Sequence, residues 1–340
     1  MRKNTNRKKK RIAESQRGWK RHMLSVTRRC IVYTPSISIA KEASQRSSKK
    51  QRWKVLQCPE VFTIEENSSE VIAYMEKVRN VKSEKYTHLR IDMSQIEKID
   101  NLSIMMLLSN ISHASQKGLF VSGNYPNNPE AEYIFSHSGF LSHMQTLNKK
   151  APSISESDGL IMNLGTNTFQ SENADILISN VIKRISGSKR LYQRLNGIVG
   201  EMGGNAIQYA YHDKKHYIFG CFPEKDKVSF VFADSGYGIL NTLRNTLGKQ
   251  MVDMIMTRGP VSVLEGAFNQ KYGSKTGEDN RNRGLPFIKQ TYIDGYISNL
   301  LVITNNVLLN FAKPKKSLKF ASNYSGTVYF WQVQSSTTNN

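Results

Sequence analysis

An acidic and an amide side chain stand four residues apart in the C-terminal half of this 340-residue chain. They are Glu201 and Asn205, in a segment from Leu191 to Tyr211 whose pattern predicts a helix. Residues at positions i and i+4 share one face of a helix, and oxygen ligands suit Mg²⁺ with its retained waters. This pair fits either a site that orders a metal ion and a water molecule or an ordinary solvated helix face.

A second acidic residue, Asp234, ends an apolar run from Val228 to Ala233 that predicts a buried strand. Gly236 and Gly238 follow it, and glycines let the main chain approach a ligand closely because they have no Cβ. A carboxylate in this place can accept a hydrogen bond from the exocyclic amine of adenine. The same residues also suit a plain turn between a strand and a loop.

The segment 259–284 is polar and bears several glycines and basic residues, a composition that suits a mobile lid over phosphates. Its residues of interest are Gly266, Lys271, Gly273, Lys275, Gly277 and Arg281. Arg283, Gly284 and Leu285 then lead into a predicted helix near Phe287. Backbone N–H groups at a helix N-terminus favour anions, so this junction is a second place where phosphate can bind.

Near the end of the chain, Gly326 and Thr327 precede an alternating apolar run from Val328 to Val333 that predicts a strand. Together and in this order, the four motifs resemble the ATP site of the GHKL superfamily. The resemblance covers about residues 165–335. It implies an α/β sandwich with a mixed sheet and an ATP lid, and it implies ATP and Mg²⁺ as ligands.

The resemblance also implies a role for each residue of the site. It assigns ten residues to that site: Glu201, Asn205, Asp234, Gly236, Gly238, Arg283, Gly284, Leu285, Gly326 and Thr327. By this likeness Asn205 would ligate Mg²⁺, Glu201 would orient or deprotonate the attacking water, and the hydroxyl of Thr327 would reach the adenine region. Pro286 stands where the superfamily usually has a further glycine, so the phosphate loop departs from the pattern there.

Two other patterns in the sequence are weaker evidence for a functional site. Gly273-Ser-Lys-Thr is similar to the end of a P-loop but lacks the upstream glycine. His212 and His216 have the spacing of helical metal ligands, yet they fall where the predicted helix ends and a strand follows. No Cys or carboxylate cluster accompanies them, so we do not expect a histidine metal site.

The N-terminal half carries a second pattern. Strands are predicted at 87–92 and 119–122, with an apolar helix at 102–111 between them and a helix at 131–141 after them. This order, with Ile99-Asp100 before the first helix and Ser138-Gly139-Phe140 at the end, resembles the STAS domain of anti-sigma-factor antagonists. In that family a serine two residues after the aspartate is phosphorylated, whereas this chain has Leu102 there and Ser103 one position later.

The charge and the cysteine content indicate which partners and which cellular compartment suit the protein. The net charge is +21, and residues 1–54 contribute +16 of it, with Trp19 and Trp53 among the basic residues. Such a tail suits nucleic acid, through phosphate contacts and base stacking, or an acidic protein partner. The charged N-terminus predicts no signal peptide, no run is long enough to span a membrane, and the widely spaced Cys30, Cys58 and Cys221 favour the cytoplasm.

We therefore expect an α/β (α+β) protein with four parts: a basic, disordered tail (1–54), a STAS-like domain (55–148), a linker (149–165) and an ATP-binding domain (166–335). The leading hypothesis is an ATP-hydrolysing regulatory switch with a tethered STAS-like module, acting on a protein partner. A Ser/Thr protein kinase of the anti-sigma type and a non-hydrolysing ATP-binding scaffold are the alternatives. A sensor histidine kinase is disfavoured because residues 171–195 contain no histidine. The sequence leaves open whether the chain forms a homodimer.

Overall fold

The computed structural model describes the chain in eight segments. These are residues 31–33, 51–146, 160–164, 169, 171–185, 189–209, 216–270 and 283–334. They form a mixed α/β structure with both parallel and antiparallel strands, as expected for the fold class at this level. The N-terminal module is defined here as residues 31–33 and 51–146, and the C-terminal module as the described residues from 160 to 334.

A five-stranded sheet and three helices make up the N-terminal module. The strand order is β2-β4-β6-β1-β7, and the strands are β1 (Ile31–Tyr33), β2 (Trp53–Gln57), β4 (His88–Asp92), β6 (Phe120–Gly123) and β7 (Met144–Thr146). A separate parallel pair contains β3 (Val61–Phe62) and β5 (Lys98–Ile99). The helices are α1 (Ile64–Arg79), α2 (Asn101–Gln116) and α3 (Pro129–His137).

Asp100 fixes the starts of α1 and α2 together. Its carboxylate accepts hydrogen bonds from the backbone N–H of Ser103, at 2.6 Å, and of Ile64, at 2.8 Å. A carboxylate at the N-terminus of a helix satisfies donors that have no partner inside the helix. Burial raises the pKa of Asp100 despite these bonds. The aspartate that the sequence pattern singled out therefore has a structural role in joining two helices.

An antiparallel sheet and six helices make up the described part of the C-terminal module. The expected mixed sheet is not seen in this part, because every pairing among its described strands is antiparallel. The strand order is β11-β12-β10-β9-β8, and the strands are β8 (Leu160–Leu164), β9 (His216–Pro223), β10 (Lys227–Asp234), β11 (Ser298–Asn310) and β12 (Leu318–Gln334). The helices are α4 (Ser171–Ile185), α5 (Lys189–Gln208), α6 (Ile239–Leu247), α7 (Lys249–Arg258), α8 (Pro260–Phe268) and α9 (Gly284–Ile293).

Both faces of this second sheet are buried. On one face, Phe219, Phe230 and Trp331 stack with each other and pack among the helices of the same module. On the other face, Val231 and Val328 belong to one apolar cluster with α1 and α2 of the N-terminal module. Strands covered on both faces read as continuous apolar runs. That is why the sequence predicts the buried strand that the structure shows at β10.

Three strands lie in segments that the sequence assigned to other parts. The short β1 falls in the predicted tail 1–54, where it pairs antiparallel with β6 and β7. The first residues of β2 also precede the predicted boundary at 55, and β8 falls in the predicted linker 149–165, where it pairs with β9. These strands have short apolar sequences that charged or polar neighbours obscure, so composition alone assigned them to unstructured segments. The rest of the predicted tail and linker lies outside the described residues.

The shared core predicts that the two modules unfold together. Phe320 is a buried residue of β12 in the cluster that includes α1. We expect Phe320→Ala to lower the free energy of unfolding by about 3–5 kcal/mol and to reduce hydrogen-exchange protection in α1 as well as in β12. Urea unfolding and hydrogen exchange measure these effects, with the exposed Val252→Ala on α7 as control. Normal protection of α1 in the Phe320 variant would contradict a common core.

Candidate functional site

Asp234 lies buried at the end of β10 in the second sheet. Its carboxylate accepts a hydrogen bond from the backbone N–H of Gly236 at 2.8 Å. The backbone N–H and the hydroxyl of Thr327 on β12 also donate to it. Burial raises the pKa of Asp234 to about 6, although these hydrogen bonds and the nearby charge of Arg79 act in the opposite direction. The structure thus brings two predicted motifs into direct contact around one carboxylate.

Gly326 allows β12 to approach the end of β10. Its φ of +112° lies in a region that residues with a side chain rarely adopt, and a Cβ there would collide with the backbone carbonyl of Asp234. Glycine is therefore required at this position for two reasons, the backbone angle and the close approach. The position of Thr327 beside Asp234 depends on it.

The loop after Asp234 is held by the segment that follows α5. Tyr237 donates its backbone N–H to the carbonyl of Tyr209 at 3.2 Å, and a Cβ on Gly236 would lie 2.6 Å from that same oxygen. On the opposite side, Ser235 donates its backbone N–H to the carbonyl of His216 at 3.2 Å. The loop is thereby fixed between α5 and β9.

Asn305 closes the other end of this loop. It sits at an irregularity in the pairing of β11 with β12, at φ +52°, and its amide donates to the carbonyl of Tyr237 at 2.9 Å. Its oxygen accepts from the backbone N–H of Leu240, while Thr304 accepts from that of Ile239. The first N–H groups of α6 are consequently satisfied within the protein, so the N-terminus of α6 is not an anion site.

The helix predicted around Glu201 and Asn205 is α5, and both residues lie on it. Glu201 is exposed and Asn205 is half-buried, one turn further along the same face. Tyr209 follows at the same spacing, directly after the helix. Glu201 and Tyr209 are therefore about 12 Å apart along the helix axis, with Asn205 between them.

The first residue of α9 lies against Glu201. A Cβ on Gly284 would be only 2.5 Å from Oε2 of the Glu201 carboxylate. No described side chain caps α9, and the N–H of Phe287 donates to the carbonyl of Arg283. This leaves the N–H groups of Gly284 and Leu285 as the donors at this end. Pro286, the departure noted in the sequence, occupies the first turn, where a missing N–H does not weaken the helix.

Several predicted features lie outside the described residues. They are the central part of the predicted lid with Lys271, Gly273, Lys275, Gly277 and Arg281, and also His212. His216 is described and lies on β9, not on a helix, so it cannot form the helical pair considered from the sequence. Within the described ranges, no group of three or more His, Cys, Asp or Glu residues is placed to hold a metal ion.

The region around the STAS-like switch position is buried. Leu102 and Ser103 lie in the first turn of α2 and are 6% and 0% exposed. The Ser103 side chain is therefore enclosed by the protein in this structure. A kinase has no access to its hydroxyl without local unfolding.

Two residues that shape this site were not predicted from the sequence. Asn305 had a signal, because three polar residues, Thr304, Asn305 and Asn306, interrupt the apolar run of β11. Arg79 had none, because a basic residue in the last turn of a helix is ordinary complementation of the helix dipole. Its side chain nonetheless reaches the backbone carbonyl of Ser235, at 3.0 Å from Nη2.

The raised pKa of Asp234 predicts a specific dependence of stability on pH. The folded-state value of about 6 lies above the ordinary 3.8, so the folded protein binds more protons than the unfolded chain between about pH 4 and 6. The free energy of unfolding should then fall as the pH rises through this window, by about 3 kcal/mol from this residue.

Asp234→Asn should remove that contribution. Urea unfolding of the parent and the variant at intervals from pH 4 to 7 measures the difference between the two curves, which cancels the other carboxyl groups. Parallel curves would mean that Asp234 ionises as an ordinary exposed carboxyl does.

Neither a protein-family model nor a curated protein matches this chain. Among the described helices, none is long and apolar enough to cross a membrane. The function must therefore be inferred from the geometry of the site.

Proposed function

We propose that the C-terminal module is an ATP-binding domain of the GHKL type and that the protein is an ATP-hydrolysing regulatory switch. The observation that carries this proposal is the buried contact between Asp234 and Thr327 on adjacent strands. The likeness to the superfamily implies that these two residues together contact the adenine base. A carboxylate with a purely structural role would also accept hydrogen bonds. The contact between Glu201 and Gly284, which brings two further predicted site residues together, favours a ligand site.

The residues around Asp234 fit the adenine end of a nucleotide. The ionised carboxylate can accept a hydrogen bond from the exocyclic amine of the base, and Thr327 provides a neighbouring hydroxyl. Gly236 has no side chain between the loop and the end of α5. A buried, pre-oriented acceptor discriminates well between bases, because a wrong partner leaves it unpaired.

The residues around Gly284 fit the phosphate end. The N–H groups of Gly284 and Leu285 point out of the first turn of α9, and an anion there is favoured by the helix dipole. Arg283 is exposed beside them and adds a positive charge. Pro286 removes one further donor, so we propose that fewer backbone groups contact phosphate here than in the family pattern.

The side chains of α5 fit a metal and a water. Asn205 presents an amide oxygen that can ligate Mg²⁺, which when bound would neutralise charge on the phosphates. Glu201 lies one turn before Asn205 on α5 and against the start of α9, where it would accept a proton from the attacking water. The negative charge of Glu201 next to Gly284 opposes phosphate binding, and a bound Mg²⁺ would offset that repulsion.

The N-terminal module, with its STAS-like pattern, is proposed to be the regulatory part. Because Leu102 replaces the usual serine and Ser103 is buried, phosphorylation of this module by its own ATP site is disfavoured. The kinase alternative therefore requires another protein as substrate. A protein partner, and nucleic acid bound through the basic segment 1–54, stay proposals that rest on the sequence.

The adenine contact predicts that Asp234 controls nucleotide affinity. Asp234→Asn should weaken binding of ATP with Mg²⁺ about ten- to hundredfold, as expected from losing a buried hydrogen bond worth ~1–3 kcal/mol. Isothermal titration calorimetry at pH 7.5 measures this, with the exposed Asp226→Asn as the matched control. Equal, tight binding by the parent and both variants would reject Asp234 as the adenine residue.

The position of Glu201 predicts that it affects turnover more than binding. Glu201→Ala should retain ATP but lose about 10²–10⁴-fold in phosphate release, whereas Asn205→Ala should also lose the Mg²⁺-dependent part of the affinity. Single-turnover assays and calorimetry separate the two effects, with the exposed Glu172→Ala on α4 as control. A parent that binds ATP without releasing phosphate under any condition tested would support the scaffold alternative.

A further inference from the structure

One charged side chain of the N-terminal module reaches the proposed nucleotide site. Arg79 is the last residue of α1, and it is 6% exposed. Its Nη2 donates to the carbonyl of Ser235 at 3.0 Å, between residues 156 positions apart in sequence. Ser235 directly follows Asp234, and the charge of Arg79 stabilises the ionised form of that carboxylate.

Arg79 is itself held in place from the N-terminal module. Lys117, at the end of α2, donates from Nζ to the backbone carbonyl of Arg79 at 2.9 Å. The C-terminal ends of α1 and α2 are thereby joined at the residue that contacts the loop after Asp234. A movement of these two helices would move the guanidinium, and with it the carbonyl of Ser235.

The other titratable groups around this point are neutral or act weakly on Asp234. They are His216 on β9, Tyr324 and Tyr329 on β12, and the cation Lys117. Burial, aided by the charge of Arg79, lowers the pKa of His216 to about 3, so this histidine is uncharged at neutral pH. Burial raises the pKa of Tyr324 to about 12 and that of Tyr329 further, so both are protonated.

Arg79 is therefore the cation that acts most directly on Asp234 among the described residues. Charges buried together interact more strongly than charges in water and are poorly screened by salt. The hydrogen bond to the carbonyl of Ser235 also fixes the orientation of the peptide next to the carboxylate. Loss of either contact would change both the ionisation and the orientation of Asp234.

We propose that Arg79 is a positioning residue for the nucleotide site, through which the docking of the N-terminal module against the sheet sets the affinity for ATP. This inference rests on the proposed ATP site and adds its mode of regulation. By linkage, ATP must in turn favour the docked arrangement of α1 and α2 to the same extent. The N-terminal module is then an internal effector of the nucleotide site.

The pH profile of ATP affinity tests this positioning role. Three variants are compared with the parent by calorimetry with ATP and Mg²⁺ between pH 5 and 8.5: Arg79→Met, Arg79→Lys and the control Arg90→Met on β4. Circular dichroism and thermal unfolding establish that each variant is folded. In the parent, affinity should rise with pH up to the ionisation of Asp234 and then level off.

Arg79→Met should move the midpoint of this rise to higher pH. A midpoint that lies one pH unit higher weakens binding about tenfold at pH values below it. Arg79→Lys should restore much of the parent profile, because it keeps the charge, and Arg90→Met should leave the profile unchanged. A structural role alone would lower stability and leave the midpoint where it is in the parent, so an unchanged midpoint in Arg79→Met overturns the inference.

A second measurement uses the parent protein alone and does not depend on a variant that folds. Saturating ATP and Mg²⁺ should slow hydrogen exchange in the last turns of α1 and α2, although neither helix forms the nucleotide site. Parent protein that binds ATP without this protection would overturn the inference and leave the proposed function intact. Parent protein that fails to bind ATP at all would overturn both.

Discussion

The burial of the second sheet on both faces is the constraint on which the rest of the structure depends. The helices of the C-terminal module cover one face, and α1 and α2 of the N-terminal module cover the other. Alternate residues of one strand therefore belong to two cores. Phe230 and Phe232 pack among the helices of the C-terminal module, while Val231 and Ala233 pack against the N-terminal module. The end of β10, where Asp234 lies, is consequently supported from both directions, and neither module can rearrange there alone.

This support explains how a carboxylate can stay in such a buried position. Desolvation opposes its charge, whereas two hydrogen-bonding residues, Gly236 and Thr327, and the charge of Arg79 favour it. The balance leaves the pKa near 6, so Asp234 is mainly ionised at neutral pH and holds some of its acceptor capacity in a rigid frame. A carboxylate held in this way lowers the stability of the fold when it is ionised, but it is a good hydrogen-bond acceptor for a ligand. Such a conflict between stability and local chemistry is typical of functional sites.

Local parts of this arrangement could be predicted from the sequence, and the long-range parts could not. The helix with Glu201 and Asn205 and the strand ending at Asp234 follow from periodicity and apolar runs, which report local geometry. A continuous apolar run also indicates that a strand is buried on two faces, but it does not tell what covers each face. The docking of α1 and α2, and the role of Arg79, depend on residues 156 positions apart. The cap made by Asn305 depends on a strand irregularity, which sequence patterns report only as an interrupted apolar run.

Because the two modules share a core, they do not behave as independent domains joined by a flexible tether. A flexible tether raises the effective concentration of one module near the other, and each module keeps its own fold. Here the modules bury a common apolar layer, so separation would expose large side chains such as Phe222 and Phe320 to water. Full separation of the modules therefore costs much free energy. A signal that passes between them has to use small shifts inside a packed layer. Charged and hydrogen-bonding groups in that layer suit this purpose, because a hydrogen bond weakens steeply as its geometry worsens. Arg79 is such a group: it is buried at the end of α1 and donates to the carbonyl of Ser235, the residue that follows Asp234.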